Sequence, residues 1–367
     1  MQMLTNNHWN IMIIWIATLA TPQFARVLNN LDDRQPGLLH VRYLKEGSAG
    51  RDWGALELTH PHEYVHRGVR SFFDGFSLIS RRGVSTLVTF GYTYSYSMGA
   101  LLAARIFRKR IFTQSDSSFR QHSERPWLIR CLKLVVIRIL YPKDTRVWVI
   151  GEDNAKFWGA FGLTNQSKVD FESPVATDIS RSHSRIPYLL ERDKNAPNTE
   201  RLALYVGRLS PEKLVRDAIR AVGLARTNGA SIRLAVVGSG DTDLLTINQA
   251  KSDWTDYVGP IPHQDLGALF AEADVLVLPS KREPYGLVVR EALQFGLPVV
   301  ASTAVAAARE LCDEGWNIVP VGDIDGLAAA ITHAVQLDER WTPVPPVDVS
   351  DFYELELVGH PETRDSP

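Results

Sequence analysis

Residues 200–336 alternate short apolar runs with amphipathic stretches at helical spacing, and that alternation leaves this part of the chain few architectures to choose from. The apolar runs lie at 202–206, 232–237, 255–258, 275–278, 298–301 and 317–319. The helical stretches lie at 212–227, 242–252, 263–272, 286–295, 304–312 and 323–336. A short continuous apolar run followed by a helix is the signature of a parallel strand covered on both faces by crossover helices. The pattern predicts a doubly wound α/β sheet. Right-handed crossovers then bring every strand-to-helix turn to one edge.

The first half carries a looser version of the same pattern. Strands are predicted at 11–15, 38–43, 86–90, 109–113, 146–150 and 168–171, and helices at 22–31, 68–80, 95–107, 126–140 and 153–162. A chain of 367 residues exceeds one typical core. The reading is therefore two Rossmann-like domains, 1–178 and 201–336, joined by a polar linker at 179–200 containing Pro187 and Pro197. Residues 337–367 form a Pro-rich tail with no sustained helical pattern, part of which is expected to be disordered or packed as an irregular strap.

Charge separates the halves. Residues 1–178 hold 22 Lys and Arg against 15 Asp and Glu, whereas the remainder holds 18 against 27. The first domain is thus expected either to face an anionic partner or membrane surface or to show ordinary surface variation. The only cysteines, Cys131 and Cys312, lie in apolar helical patterns and read as small core residues. They allow neither a disulfide framework nor a zinc site, which points to a reducing cytosol. The apolar run 9–20 is short and lacks a preceding cation, so it reads as a buried first strand rather than a signal peptide or membrane span.

Two turns carry the chemistry. Glu283-Pro284-Tyr285-Gly286-Leu287-Val288-Val289-Arg290-Glu291 follows the run 275–278. That order puts Glu283 beyond the carboxyl end of a strand and Glu291 about two turns further along. Two carboxylates there can accept hydrogen bonds from sugar or ribose hydroxyls. The Gly286 and Leu287 amides, at a helix start, can receive a phosphate. The second turn, Gly207-Arg208-Leu209-Ser210-Pro211-Glu212-Lys213, sets two cations beside another helix start. Such cations suit a diphosphate leaving group.

These motifs, G-R-L-x-x-E-K and E-x7-E, together with the strand Asp274-Val275-Leu276-Val277-Leu278-Pro279-Ser280, resemble glycosyltransferase family 4. Its members are retaining enzymes of the GT-B fold, two Rossmann-like doubly wound domains facing across a cleft. The resemblance is strong over about 200–335 and weaker before it. The segment Phe171-Glu172-Ser173-Pro174-Val175-Ala176-Thr177-Asp178 resembles the turn that closes the family's first domain. The resemblance implies a nucleotide-diphosphate sugar as substrate, UDP- or GDP-linked, with no cofactor and no metal. Arg208 and Lys213, in the turn opened by Gly207, would hold the diphosphate. Glu283 would bind the transferred sugar beside Tyr285, Gly286 and Leu287. Glu291 would take the ribose, and Val258-Gly259-Pro260-Ile261 would lie near the base. The acceptor would be a carbohydrate, a lipid-linked molecule or a small molecule, and no nucleic acid is expected. The implied mechanism has the acceptor attack on the leaving-group side, with a donor phosphate oxygen taking its proton.

The chain also departs from the family pattern. The segment after the first strand, Ala17 to Pro22, has no glycine. Where members often carry a His, this chain has Thr113-Gln114-Ser115-Asp116-Ser117-Ser118, so Asp116 is a candidate acceptor-side group or a helix cap. The segment after Ala301 lacks the usual Gly pair, and a C-terminal helix returning to the first domain is not evident. Two alternatives follow. One is a catalytically degenerate nucleotide-sugar-binding or scaffold protein; the other is a sugar phosphorylase or epimerase on the same fold.

Weaker signals have plainer explanations. Asp241-Thr242-Asp243 and Asp323-Ile324-Asp325 read as helix caps rather than metal ligands. Gly238-Ser239-Gly240 reads as a tight turn, and His60, His62 and His66 lack a matching acid cluster. The stretch 127–141 is apolar but interrupted by Arg130, Lys133 and Arg138, with Arg105, Arg108, Lys109 and Arg110 upstream. It fits a helix docked on anionic lipid or a lipid-linked acceptor, in an enzyme peripheral to the inner membrane face. The plainer description is a buried helix with snorkelling cations.

Overall fold

The computed structural model describes residues 12–18, 20–45, 57–65, 70–169, 200–247, 250–251, 253–337, 340–345 and 349–358. The segment 171–178, nearly all of the 179–200 linker and His66 lie outside the described residues. The described chain divides into two compact units, one of residues up to 169 together with 349–358, the other of 200–345.

The first unit is a seven-stranded parallel sheet. Its strands are β1 (Met12–Ala17), β2 (Leu39–Tyr43), β3 (His62–Tyr64), β4 (Val84–Phe90), β5 (Arg110–Gln114), β6 (Arg146–Val149) and β7 (Gln166–Lys168), in the order β3-β2-β1-β4-β5-β6-β7. Its helices are α1 (Pro22–Arg34), α2 (Ser71–Ser80), α3 (Ser95–Ile106), α4 (Phe119–Ser123), α5 (Trp127–Leu140) and α6 (Glu152–Gly159). The run Ile13-Ile14-Trp15-Ile16-Ala17 is buried throughout, as expected of a central strand with helices on both faces. Two elements, β3 and α4, were not legible in the sequence, being only three and five residues long. His60, two residues before β3, is buried and bonded on both sides, Nε2 to Tyr43 Oη at 3.0 Å and Nδ1 to Asn29 Oδ1 at 2.5 Å. Burial, followed by the neighbouring His62, lowers its pKa to about 4.

The second unit is a six-stranded parallel sheet built from β8 (Arg201–Val206), β9 (Ile232–Val237), β12 (Thr255–Gly259), β13 (Val275–Leu278), β14 (Val299–Ser302) and β15 (Ile318–Val319), with a separate small hairpin, β10 (Thr246–Ile247) and β11 (Ala250–Lys251). The order is β12-β9-β8-β13-β14-β15. Its helices are α7 (Val215–Thr227), α8 (Leu266–Glu272), α9 (Leu287–Gln294), α10 (Ala306–Leu311) and α11 (Ile324–Gln336). The helix expected at 242–252 is instead a short 3-10 turn, Thr242–Leu245, followed by that hairpin. Asp241 and Asp323 cap their helical starts, accepting from the amides of Asp243 and Gly326.

Three further expectations are corrected. The tail after 337 is not devoid of helix: α12 (Ser350–Val358) packs on the first unit. Tyr353 stacks edge-on against Trp148, with ring centroids 4.7 Å apart, and its hydroxyl bonds Gln114 at 3.1 Å. Asn30 donates to Ser350, and Arg34 pairs with Asp351 and Glu354, so α12 is held mainly by tertiary contacts. Residues 340–345 lie on the second unit, where the Arg340 guanidinium bonds the carbonyls of Phe270, Ala271, Ala273 and Phe295. Those carbonyls lie in and just beyond the last turns of α8 and α9, where helix carbonyls lack partners. Second, Cys131 is exposed and only Cys312 is buried. Third, α5 is not a buried helix: Ile137 and Leu140 alone are buried in it.

Candidate active site

In an open parallel sheet the crevice for ligands forms at the carboxyl edge where strand order reverses. In the second unit that point lies between β8 and β13, which are paired directly. The turn after β8 carries Gly207, Arg208 and Lys213, and the turn after β13 carries Glu283. The two motifs, some seventy residues apart in sequence, thus leave adjacent strands at the same edge.

Backbone contacts hold the turns in place. Tyr205, the penultimate residue of β8, is buried, and its hydroxyl donates to the Arg208 carbonyl at 3.1 Å. Burial pushes that phenol's pKa up, with Glu283 and Glu212 adding to the shift, so it stays a neutral donor. The Glu212 carbonyl accepts from the amides of Lys281 and Arg282, at 2.8 and 3.2 Å, and so ties one turn to the other. On the far side of β8, Leu209 donates to Ser239, and Asp241 donates back to Leu209. That approach requires Gly238: a Cβ there would stand 1.8 Å from the Gly207 carbonyl oxygen. Gly238-Ser239-Gly240 is therefore a point of close backbone approach rather than simply a tight turn.

The charged groups meet across this frame. Lys213 Nζ lies 2.5 Å from Glu283 Oε2, both side chains being about 15% exposed or less. Ser280 Oγ lies 3.5 Å from the same carboxylate oxygen. Arg208 is exposed beside them, and its guanidinium makes no hydrogen bond or ion pair among the described residues. The Glu212 carboxyl is held below its ordinary pKa by a bond from its own backbone amide and by Ser210, Arg208 and Lys213.

Gly286 opens α9 in the left-handed conformation, φ +102°, where a side chain would also strike Val305. Glu283 therefore lies before the helix and Glu291 within it. Tyr285 is buried, and its carbonyl accepts from the Ala307 amide at 2.9 Å, bringing the turn after β14 against the site without the Gly pair expected there. Gly286 and Leu287 head α9, where first-turn amides have no intrahelical acceptor. Glu291 is 7% exposed and bonded to His263 Nε2 at 2.9 Å. His263 was not singled out from the sequence, although it lies two residues beyond Ile261 in the turn after β12. Its only signal was its place after a strand.

Asp116 belongs to the other unit. It is exposed in the turn after β5, and the cap of α4 is Ser118, which accepts from the Gln121 amide at 3.2 Å. The capping explanation for Asp116 is thus corrected. No group of three metal-ligating side chains occurs among the described residues.

Residues 189–341 match the family model for glycosyl transferases group 1. The chain superposes on Anabaena HepE in complex with UDP with a TM-score of 0.67 and 14% identity, over 95% of this chain and 96% of that one. The fold is GT-B. Among curated proteins, the chain is 37% identical to glycogen synthase of Mycobacterium tuberculosis over 154 residues, 40% of this chain and 36% of that protein. It is 30% identical over 194 residues to the GDP-mannose-dependent alpha-(1-6)-phosphatidylinositol dimannoside mannosyltransferase of the same species, 53% of this chain and 48% of that protein. The chain thus spans half or less of these two relatives. Within the GT-B fold, Arg208, Lys213, Glu283 and Glu291 all lie at the carboxyl edge of the second unit's sheet.

Proposed function

We propose that this protein is a retaining glycosyltransferase of family 4, moving a sugar from a UDP- or GDP-linked donor to a carbohydrate, lipid-linked or small-molecule acceptor. The observation that carries the reading is the Lys213–Glu283 pair at the β8/β13 switch point. A cation and a carboxylate held together there are matched to the diphosphate and the adjoining sugar of a nucleotide sugar. On donor binding, Lys213 and Arg208 turn to the diphosphate and Glu283 to the sugar hydroxyls, with the Gly286 and Leu287 amides beside the sugar and phosphate. Glu291, oriented by His263, takes the ribose, and Ile261 lies near the base. UDP in a structural neighbour and GDP-mannose in the name of a relative support this donor class.

In the reaction, the bond from the anomeric carbon to the diphosphate oxygen breaks and a bond to the acceptor oxygen forms on the same face. The acceptor proton passes to a donor phosphate oxygen. Charge building on the diphosphate is met by Arg208 and Lys213, so no metal ion is needed. Asp116 provides a polar contact on the acceptor side.

Thermal shift against UDP, GDP, ADP, dTDP and their common sugar conjugates tests the reading. One nucleotide family should raise the midpoint, and an Arg208→Ala/Lys213→Ala variant should lose the rise. No shift with any nucleotide in folded protein overturns it in favour of a scaffold.

A further inference from the structure

Among the described residues of the first unit, exposed large apolar side chains gather on the outer face of α5. Trp127, Leu128, Leu132, Val135 and Ile139 are each more than half exposed, and Ile129 nearly so. At 100° per residue, Trp127, Cys131, Val135, Leu128, Ile139 and Leu132 share one solvent-facing arc, with Arg138 as the only charge inside it. Helix α5 meets α3, whose end adds exposed Ile106 and Phe107, and Arg105 donates from there to the Arg138 carbonyl at 3.0 Å. Isolated exposed apolar residues are ordinary, but a contiguous apolar helix face is not.

Charge identifies what covers it. Residues 125–143 hold Arg125, Arg130, Lys133, Arg138 and Lys143 and no acid, and Arg105 and Arg108 stand beside them. Lys133 is turned inward, 4.5 Å from the centre of the Phe157 ring, while Arg125 and Arg130 are exposed beside the apolar face and Arg138 within it. A second copy meeting this face across a two-fold axis would bring like charges together. An anionic lipid surface offers acyl chains to the apolar arc and phosphates to the arginines. Fourteen residues of helix span about 21 Å, and no described helix is long and apolar enough to cross a membrane.

We infer that α5 is an interfacial helix that lays the first unit on an anionic bilayer, with Trp127, Leu128, Leu132, Val135 and Ile139 in the acyl boundary and Arg125, Arg130 and Arg138 among the headgroups. The inference does not rest on the donor site, because lipid binding is read without turnover. The test is flotation of the full chain with vesicles of phosphatidylcholine alone and of phosphatidylcholine with equimolar phosphatidylglycerol. The protein should float with the anionic vesicles only, less so at high salt. Leu132→Gln/Ile139→Gln should lower binding about tenfold or more, and Arg125→Gln/Arg138→Gln should weaken both binding and its salt dependence. Unchanged circular dichroism melts would show that both variants remain folded. Failure of the wild-type chain to float overturns the inference, as does equal binding to neutral vesicles. A dimer in light scattering that Leu132→Gln/Ile139→Gln dissociates, without vesicle binding, would instead give the face to a second copy.

Discussion

The two units run the same sheet order through their switch points, β2-β1-β4-β5 in one and β9-β8-β13-β14 in the other, yet their carboxyl edges differ in kind. In the second unit the turns touch backbone to backbone, and a cation and a carboxylate pair directly above the strands. In the first unit, Gly91 follows β4 with open space around it, and Asp116 follows β5 exposed to solvent. One edge is tied together by backbone contacts and a direct ion pair. The other leaves Asp116 exposed and the space beside Gly91 empty. Topology alone therefore does not make a site; the turns that follow the strands do.

The comparison breaks most sharply at the paired carboxylate. Glu283→Ala should cut transfer by about 10²–10³-fold while leaving nucleotide affinity nearly intact. Asp116→Ala should mainly raise the KM for acceptor, by about tenfold or less. Steady-state kinetics in both substrates, with nucleotide titration, separates the two. If the two variants lose activity alike and in the same parameter, the division of labour fails.

Backbone packing offers the next contrast. Gly238→Ala forces a methyl group into the Gly207 carbonyl at a φ of +142° and should cost about 3 kcal/mol or more. Gly91→Ala, at φ +79° in open space, should cost about 1–2 kcal/mol. Urea unfolding measures both, and equal losses would show that the second edge is no tighter than the first.

A last effect concerns pH and the first unit. Burial lowers the His60 pKa to about 4, while the unfolded chain titrates near the ordinary value of 6.5. Between those values the unfolded state binds the extra proton, so the stabilisation is complete above pH 6.5 and is lost as pH falls towards 4. The loss should be on the order of 2–3 kcal/mol. Unfolding of the first unit followed between pH 7.5 and 4 should show it, and His60→Gln should flatten the slope. A slope unchanged in that variant assigns the effect elsewhere.

The sequence by itself determined the alternating α/β plan of the second unit and the identity of its charged turns. Both are local: strand runs, helix starts, and the residue types of Arg208, Lys213, Glu283 and Glu291 lie within short windows. Only the tertiary structure decided which groups meet. The Lys213–Glu283 pair depends on β8 and β13 lying side by side, and His263 reaches Glu291 because β12 closes the edge of the same sheet. The nine residues of α12 carry too weak a helical pattern to be read alone, since the pocket for Tyr353 is built by Trp15, Trp148 and Gln114 from distant strands. The exposure of α5 was hidden for the opposite reason. An apolar helix reads the same in sequence whether its outer face meets protein or solvent, and only the packing around Ile137 and Leu140 shows which side was left uncovered.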